Sequence, residues 1–165
     1  MSQGAAARRA RRLLPATLGA VTIADKQRQL IADYSIIDDP QERLAAIVDR
    51  ARKIPSLPDN ERTEANRVKG CVSLAWVVGD VRDNHCFFRS DADSPLVRGL
   101  LVLLCDFYSD ATPADVLATE PALLEELGLD RNLSPTRLNG LKSATAYIRA
   151  YANSVDHTER SACPP

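Results

Sequence analysis

The spacing of apolar and polar residues predicts that the chain opens with two helices. From Thr22 to Ile37 apolar residues recur at helical spacing behind a threonine that can cap the first turn. The run from Asp39 to Glu42 combines a cap, a proline at the first helical position and an acid in the first turn. It predicts a second helix that ends before Pro55.

A stretch without periodicity then leads into a predicted hairpin. Residues 55–69 contain prolines and turn-forming residues, which indicates a surface loop. Beyond Cys71 large apolar residues alternate with small ones, so we expect a strand with one strongly apolar face. A polar turn over 79–84 and a returning strand from Cys86 complete the hairpin. The residues of the expected apolar face are Val72, Leu74, Trp76 and Val78.

The remaining pattern is helical. A helix from Pro95 is apolar on nearly all sides, which is typical of a helix in the centre of a core, and Trp76 is expected to meet it there. Short helices are predicted from Pro113 and over 121–127, and a long last helix over 135–155. The order of elements predicts an α+β fold, with a small antiparallel sheet packed against helices.

Composition narrows the class of protein. The 165 residues are 45% hydrophobic and 26% charged, which suits one globular domain. The net charge of −1 lacks the basic footprint of a nucleic-acid-binding protein, and no apolar run is long enough to predict a membrane span. Four cysteines without close pairing indicate a reducing compartment rather than a disulfide framework, so we expect a cytoplasmic protein.

The beginning of the chain differs from the rest in charge. Residues 1–22 hold four arginines and no acid, and we expect them to be a flexible Arg-rich extension. The domain is expected over 23–155 and a flexible tail over 156–165. The Arg-rich start resembles an organellar transit segment, which would change the expected location; a disordered extension and a misassigned start codon are the alternatives.

Cys71 is the candidate reactive residue. It follows Gly70 at a turn after a basic loop, and the cations Arg67 and Lys69 would favour the thiolate, which is the nucleophilic form of cysteine. The alternative interpretation is that Cys71 is the buried first residue of a strand. The other three cysteines are weaker candidates: Cys105 lies in the apolar helix, Cys86 in a strand and Cys163 in the tail.

Arg137 is a second candidate because of its position. It falls in the first turn of the last predicted helix, where the helix dipole disfavours a cation. A cation at such an unfavourable position suggests that its charge makes a contact elsewhere in the fold. It would form an ion pair with Asp91 or Asp93, or supply charge near a thiolate or a partner.

Three other chemistries remain open for these residues. A metal or iron–sulfur scaffold would use Cys71, Cys86 and Cys105, although no pair has the Cys-x2-4-Cys spacing of structural zinc sites. A Cys/His hydrolase would need His85 or His157 as its base. A thiol redox sensor would need Cys71 alone.

Four blocks of the sequence resemble the SufE/CsdE family of sulfur acceptors. They occur in the family's order and span about 23–155 of the chain. The family often has Gln just after the cysteine and again two residues further on, where this chain has Val72 and Leu74. The blocks are Asn66 to Trp76, Asp91 to Leu100, Leu127 to Leu129, and Leu133 to Gly140.

The resemblance implies a SufE/IscU-like fold and a sulfur-transfer accessory protein rather than an enzyme. Such a protein docks on a SufS/CsdA-type cysteine desulfurase, accepts its persulfide sulfur on Cys71, and stimulates the desulfurase. It then passes the sulfur to a downstream scaffold or acceptor for iron–sulfur cluster assembly. It needs no cofactor of its own, because pyridoxal phosphate belongs to the desulfurase, and we expect a monomer or homodimer.

We expect roles for five further residues. Arg137 matches an arginine of the family's last helix and would give charge support or docking, whereas Lys69, which stands where the family often has a neutral residue, would favour the thiolate or dock. Asn66, Asp91 and Asp93 would bind the partner, and the resemblance implies this role for Asp93 with Asp91 nearby. We further expect Cys71 to rest in a partly buried pocket beside the helix from Pro95, and the loop from Pro55 to swing it outwards on docking.

Overall fold

The computed structural model describes residues 21–161, which form six α-helices and one two-stranded antiparallel sheet. This arrangement confirms the predicted α+β fold. Most of the Arg-rich extension, and Cys163, lie outside the described residues. The elements are α1 (Ile23–Ser35), α2 (Pro40–Arg52), β1 (Ala75–Arg82), β2 (His85–Ala92), α3 (Pro95–Tyr108), α4 (Pro113–Ala118), α5 (Leu123–Glu126) and α6 (Pro135–Ser161), with a 3-10 turn at Asp130–Asn132.

Four predicted helix starts are confirmed by capping hydrogen bonds, whereas α5 begins at Leu123 instead of Pro121 and has no side-chain cap. Thr22 and Asp25 form a reciprocal capping box at the start of α1. Asp39 accepts hydrogen bonds from two backbone N–H groups at the start of α2, and Ser94 and Thr112 each cap the helix that follows. Each cap satisfies backbone donors that a helix leaves without intrahelical partners.

The hairpin turn is tighter than the sequence pattern predicts. β1 continues through Arg82, which pairs with His85, so that only Asp83 and Asn84 connect the strands. Both have positive φ, at 48° and 60°. This conformation matches the twist of a two-residue hairpin, and Asn and Asp tolerate it better than most residues.

The buried face of β1 is the opposite of the expected one. Ala75 and Val77 are completely buried, whereas Val72 is 83% exposed and Leu74 43% exposed. β1 begins only at Ala75, because residues 69–74 form a separate loop. Side chains alternate along a strand, so Ala75 and Val77 lie on the core face while Trp76 and Val78 lie on the opposite face.

Trp76 consequently lies outside the core, and the expectation that it packs in the core against α3 is wrong. Its ring lies 5.8 Å from the guanidinium carbon of Arg62. It also lines a surface cleft of about 330 Å³, to which Asp93, Pro95 and Arg98 contribute. Trp76 therefore forms part of the wall of a surface cleft at the start of α3.

α3 forms the centre of the core, as its sequence predicts. Most of its residues are buried, and it packs against β2, α2, α1 and α6. α2 approaches closely at Gly99, where a Cβ would lie 3.1 Å from the Cα of Val48. α6, the last helix, packs against both α3 and β1, the strand that follows Cys71.

α6 extends to Ser161, beyond the end at Val155 that the apolar pattern predicts. Its last fully buried residue is Ala152, and the helix continues past it because no proline interrupts the chain before Pro164. Within the described residues, no helix is both long enough and apolar enough to cross a membrane.

Candidate functional site

Cys71 lies in the tip of a second, smaller hairpin. The backbone N–H of Val68 donates to the carbonyl of Ala75, and that of Val77 donates to the carbonyl of Asn66, both at 2.9 Å. The segment before Cys71 therefore pairs with β1. Residues 69–74 form the tip between the paired ends.

The predicted surface loop upstream of this tip is packed against the domain. Asp91 Oδ2 accepts hydrogen bonds from the backbone N–H of Leu57, at 3.0 Å, and from Arg62, at 2.6 Å. Leu57 is 4% exposed. Further along, Asn66 donates to the carbonyl of Glu61 and accepts from the hydroxyl of Tyr147 on α6.

These contacts limit how Cys71 can move. They hold the loop from Leu57 to Val68, so a swing of the whole loop from Pro55 would break a buried ion pair and several hydrogen bonds. Movement of the tip alone, residues 69–74, breaks none of them. We therefore expect only residues 69–74 to move, and not the whole loop from Pro55.

The Cys71 thiol is half-buried against α6. A Cβ on Gly140 would lie only 2.9 Å from Cys71 Sγ, so the thiol packs on the bare backbone of that residue. A narrow cavity of about 10 Å³ lies beneath it, walled by apolar residues that include Val68, Val97 and Leu101. Cys71 thus rests in a partly buried pocket beside α3, as the sequence analysis expects.

A second, open cavity of about 290 Å³ lies on the solvent side of Cys71. It is lined by residues of the tip and of the start of α6, including Ser73, Thr136 and Arg137. Arg137 also lines the narrow cavity. Cys71 and Arg137 therefore both line the narrow cavity and the open cavity.

The backbone of the tip turns sharply before the cysteine. Gly70 has a φ of +80°, and a Cβ there would lie 3.4 Å from Ser143 Oγ on α6. Glycine reaches this left-handed conformation without the steric cost that other residues have. Of the two neighbouring cations, Arg67 pairs with Glu64, whereas Lys69 is exposed on the tip and lines neither cavity.

Asp91 is buried inside the domain, and this position does not present it to a partner. It is 3% exposed and pairs with Arg62 and with Arg98 Nε, the latter at 2.9 Å. Burial by itself would raise its pKa, but hydrogen bonds from Arg62 and from the N–H groups of Ala92 and Leu57 outweigh burial and lower the pKa. Asp91 is therefore a structural anchor for the loop that precedes Cys71.

The other acidic candidate lies on the surface. Asp93 is exposed at the rim of the cleft beside Trp76, and its backbone N–H donates to the carbonyl of Leu74 at 3.0 Å. It therefore joins the end of the Cys71 tip to the start of α3. Asn66, by contrast, uses its side chain for the internal hydrogen bonds described above.

The cysteines of the alternative scaffold are not grouped into a site. Cys86 is fully buried on β2, and Cys105 lies inside α3, where burial raises its pKa to about 12. Within residues 21–161 no three His, Cys, Asp or Glu side chains are arranged to hold a metal ion. The scaffold that would bind through Cys71, Cys86 and Cys105 therefore has no support in this fold.

The histidines also lie away from Cys71. His85 is at the β-hairpin turn, with its Nδ1 2.9 Å from the carbonyl of Asp83. His157 is exposed in the last turns of α6. Neither residue lines a cavity with Cys71, so the geometry does not provide the base of a Cys/His hydrolase.

Sequence reasoning missed the residues that support the site. Arg62 and Arg98 hold Asp91, and neither follows a recognisable spacing from it. Gly140 did carry a signal, because a glycine inside a helix costs about 1 kcal/mol relative to alanine and often marks a close approach. The structure shows that the approaching group is the thiol of Cys71.

The fold and the site together define a small α+β domain that presents one half-buried cysteine in a hairpin tip. The chain belongs to the SufE family, whose model, described as the Fe-S metabolism associated domain, matches residues 28–152. The protein accordingly has a role in iron–sulfur metabolism.

Related proteins support the same assignment. The chain is 33% identical over 129 residues to an uncharacterized SufE-like protein of Rhizobium etli, covering 75% of this chain and 87% of the relative. It is 28% identical over 119 residues to an uncharacterized SufE-like protein of Synechocystis, covering 72% of this chain and 75% of the relative. Both matches include most of the domain described above.

A solved structure has the same fold. The solution structure of a hypothetical protein from Thermus thermophilus superimposes with a TM-score of 0.65 and 24% sequence identity. The match covers 78% of this chain and 94% of that chain. At this identity the likeness concerns the fold alone.

Proposed function

We propose that this protein accepts sulfur as a persulfide on Cys71 from a pyridoxal-phosphate-dependent cysteine desulfurase of the SufS/CsdA type. It stimulates the desulfurase and passes the sulfur to a downstream acceptor for iron–sulfur cluster assembly. The observation that carries the proposal is the position of Cys71 Sγ, packed on Gly140 between an apolar cavity and an open one.

The transfer step requires only a thiolate and access. The Cys71 thiolate attacks the outer sulfur of the persulfide on the donor cysteine, since the thiolate is the nucleophilic form of the side chain. A new S–S bond forms at Cys71 while the S–S bond of the donor breaks, and the donor cysteine leaves as a thiolate. The electrons balance without an external oxidant or reductant.

A sulfur carrier must protect its persulfide from water and reductants and must also let a partner reach it. The two cavities suit these two requirements. The apolar walls beneath Cys71, formed by Val68, Val97 and Leu101, exclude water and dissolved reductants from that side. The open cavity admits a partner, and Arg137 on its wall provides a positive charge near an anionic persulfide. Both features favour a persulfide that survives between two encounters.

The proposal assigns no cofactor to this chain, because the release of sulfur from cysteine belongs to the pyridoxal phosphate of the partner. It also favours a reducing compartment such as the cytoplasm, where an accessible thiol stays reduced. An organelle would meet the same requirement if residues 1–22 act as a transit segment.

Intact-mass measurement tests the proposal. The protein is incubated with a SufS-type desulfurase and cysteine, and we expect it to gain the mass of one sulfur atom. Cys71→Ser should gain none, whereas Cys163→Ser, the matched control in the predicted tail, should load like the wild type. Sulfur retained by Cys71→Ser would remove Cys71 from the role of acceptor.

A second readout concerns the enzyme rather than the carrier. The wild type should increase the rate at which the desulfurase converts cysteine to alanine, because it removes the persulfide that blocks the next turnover. Cys71→Ser should lose this stimulation. Equal stimulation by both would show that binding, and not sulfur acceptance, activates the desulfurase.

A further inference from the structure

The tip that carries Cys71 presents two large apolar side chains to solvent. Val72 is 83% exposed and Leu74 43% exposed. They follow the cysteine by one and three positions, and Val72 also lines the open cavity beside the thiol. Exposed apolar groups that adjoin a reactive group indicate a contact surface for another molecule.

The fold holds these side chains outwards. The hydrogen bond from Val68 to Ala75 closes one end of the tip, and that from Asp93 to Leu74 fixes its last residue. Between these points the Cys71 side chain turns inwards onto Gly140. Val72 is therefore exposed in the same tip conformation that packs the Cys71 thiol against Gly140.

The charged residues on the thiol side of the tip are cations, whereas the exposed acid Asp93 lies at the other end, beside Leu74. Lys69 is exposed on the tip, and Arg137 lines the cavity that Val72 shares with Cys71. The sequence between Asn66 and Gly79 contains no acidic residue. A complementary surface would be apolar where it meets Val72 and Leu74, with an acidic rim on the side that meets Lys69 and Arg137.

We propose that Val72 and Leu74 are the residues by which this chain docks its sulfur donor, and that the donor presents an apolar surface with an acidic rim around its persulfide. The inference rests on the proposed function. Transfer requires Cys71 Sγ to come within bonding distance of the donor's outer sulfur. Residues one and three positions from the cysteine must then contact the donor, and their apolar character selects which donor fits.

The test separates docking from chemistry by using two sulfur donors. Val72→Ser, Leu74→Ser and the double variant are loaded either by a SufS-type desulfurase with cysteine or by inorganic polysulfide, which needs no docking surface. With the enzyme, the concentration of the double variant at half-maximal loading should rise about tenfold, which corresponds to about 1.4 kcal/mol of lost binding. The maximal rate, and loading by polysulfide, should stay unchanged.

Ile36→Ser is the matched control, because Ile36 is 82% exposed at the end of α1 and lines neither cavity. It should load like the wild type from both donors. An unchanged half-maximal concentration in the double variant would overturn the docking inference while leaving the proposed function intact. An equal loss with polysulfide would also overturn it, since the substitutions would then act on the thiol itself.

The acidic rim has its own test. Lys69→Glu should raise the half-maximal concentration with the desulfurase, and added salt should reduce the difference from the wild type. A lower half-maximal concentration would show that the donor presents cations and overturn this part of the inference. A wild type that takes no sulfur from any cysteine desulfurase would remove the proposed function, and the docking inference with it.

Discussion

Cys71 and Gly140 are in direct contact, although one lies in a loop before the sheet and the other in the last helix. A Cβ on residue 140 would lie 2.9 Å from Cys71 Sγ and 3.4 Å from Cys71 Cβ. Non-bonded carbon atoms prefer separations of about 3.5 to 4.0 Å. The position of the thiol therefore depends on the absence of a side chain at Gly140.

Replacement of this glycine should expose the cysteine. In Gly140→Ala the new methyl group displaces the thiol from its pocket, so we expect alkylation of Cys71 by iodoacetamide to become several-fold faster. The stability should change little, because the gain of about 1 kcal/mol in helix propensity offsets the lost packing of Cys71. The rate is measured in a Cys163→Ser background, and stability by urea unfolding.

Asn139→Ala provides the control for Gly140→Ala. Asn139 is exposed on the same helix, so its replacement also favours the helix but touches no part of the pocket. It should leave the alkylation rate unchanged. An equal rate in Gly140→Ala and the wild type would mean that the pocket does not restrain the thiol.

Arg137 should assist transfer without contributing to the fold. Arg137→Ala removes the cation beside the Cys71 cavities, and we expect persulfide formation to slow about fivefold, the effect of a unit charge roughly 4 Å away in water. Arg137→Lys should restore most of the rate. Arg131→Ala, which removes another exposed cation upstream of α6, should have no effect. Rates come from intact-mass time courses at constant ionic strength.

Asp91 should be important for stability at neutral pH. Asp91→Asn leaves Arg62 and Arg98 without their buried carboxylate, and we expect a loss of about 3 kcal/mol in the free energy of unfolding. The pKa of Asp91 is lowered in the folded state, so this contribution is present above its unfolded pKa of about 3.9 and is lost as the pH falls through the folded value. Urea unfolding at several pH values should show that the free energies of unfolding of the wild type and Asp91→Asn converge only at acidic pH.

Asp59→Asn is the matched control for the Asp91 prediction. Asp59 also pairs with Arg62, at 3.6 Å, but its side chain is fully exposed. Exposed ion pairs contribute little to stability because water screens them. The substitution should therefore leave the free energy of unfolding unchanged. A similar loss in both variants would show that burial does not distinguish the two carboxylates.

Hydrogen exchange should locate the moving part of the site. The amides of Val68 and Val77 are hydrogen-bonded within the small hairpin, so they should exchange slowly, whereas the tip over 70–73 should exchange fastest in this region. Addition of the desulfurase should change exchange in the tip while Leu57 to Val68 stay protected. Rapid exchange throughout 56–68 would instead support a swing of the whole loop from Pro55.

The sequence by itself determined the features that depend on neighbouring residues. The caps at Thr22, Asp39, Ser94 and Thr112 predict where helices begin, because each cap bonds to backbone groups within the next turn. The apolar composition of α3 predicts its central position, because a helix that is apolar on nearly all sides has no face suited to water. The Gly-Cys turn after a basic loop singled out Cys71 as the candidate, while a buried strand end stayed open as the alternative.

Only the tertiary structure decided the features that depend on contacts between distant parts of the chain. Alternation in β1 is compatible with either face being buried, and the small hairpin that closes at Ala75 places Val72 and Leu74 in solvent. The burial of Asp91 depends on arginines from a loop and a helix that no sequence spacing connects to it. The pocket of Cys71 likewise exists only because α6 packs its bare glycine backbone against the tip.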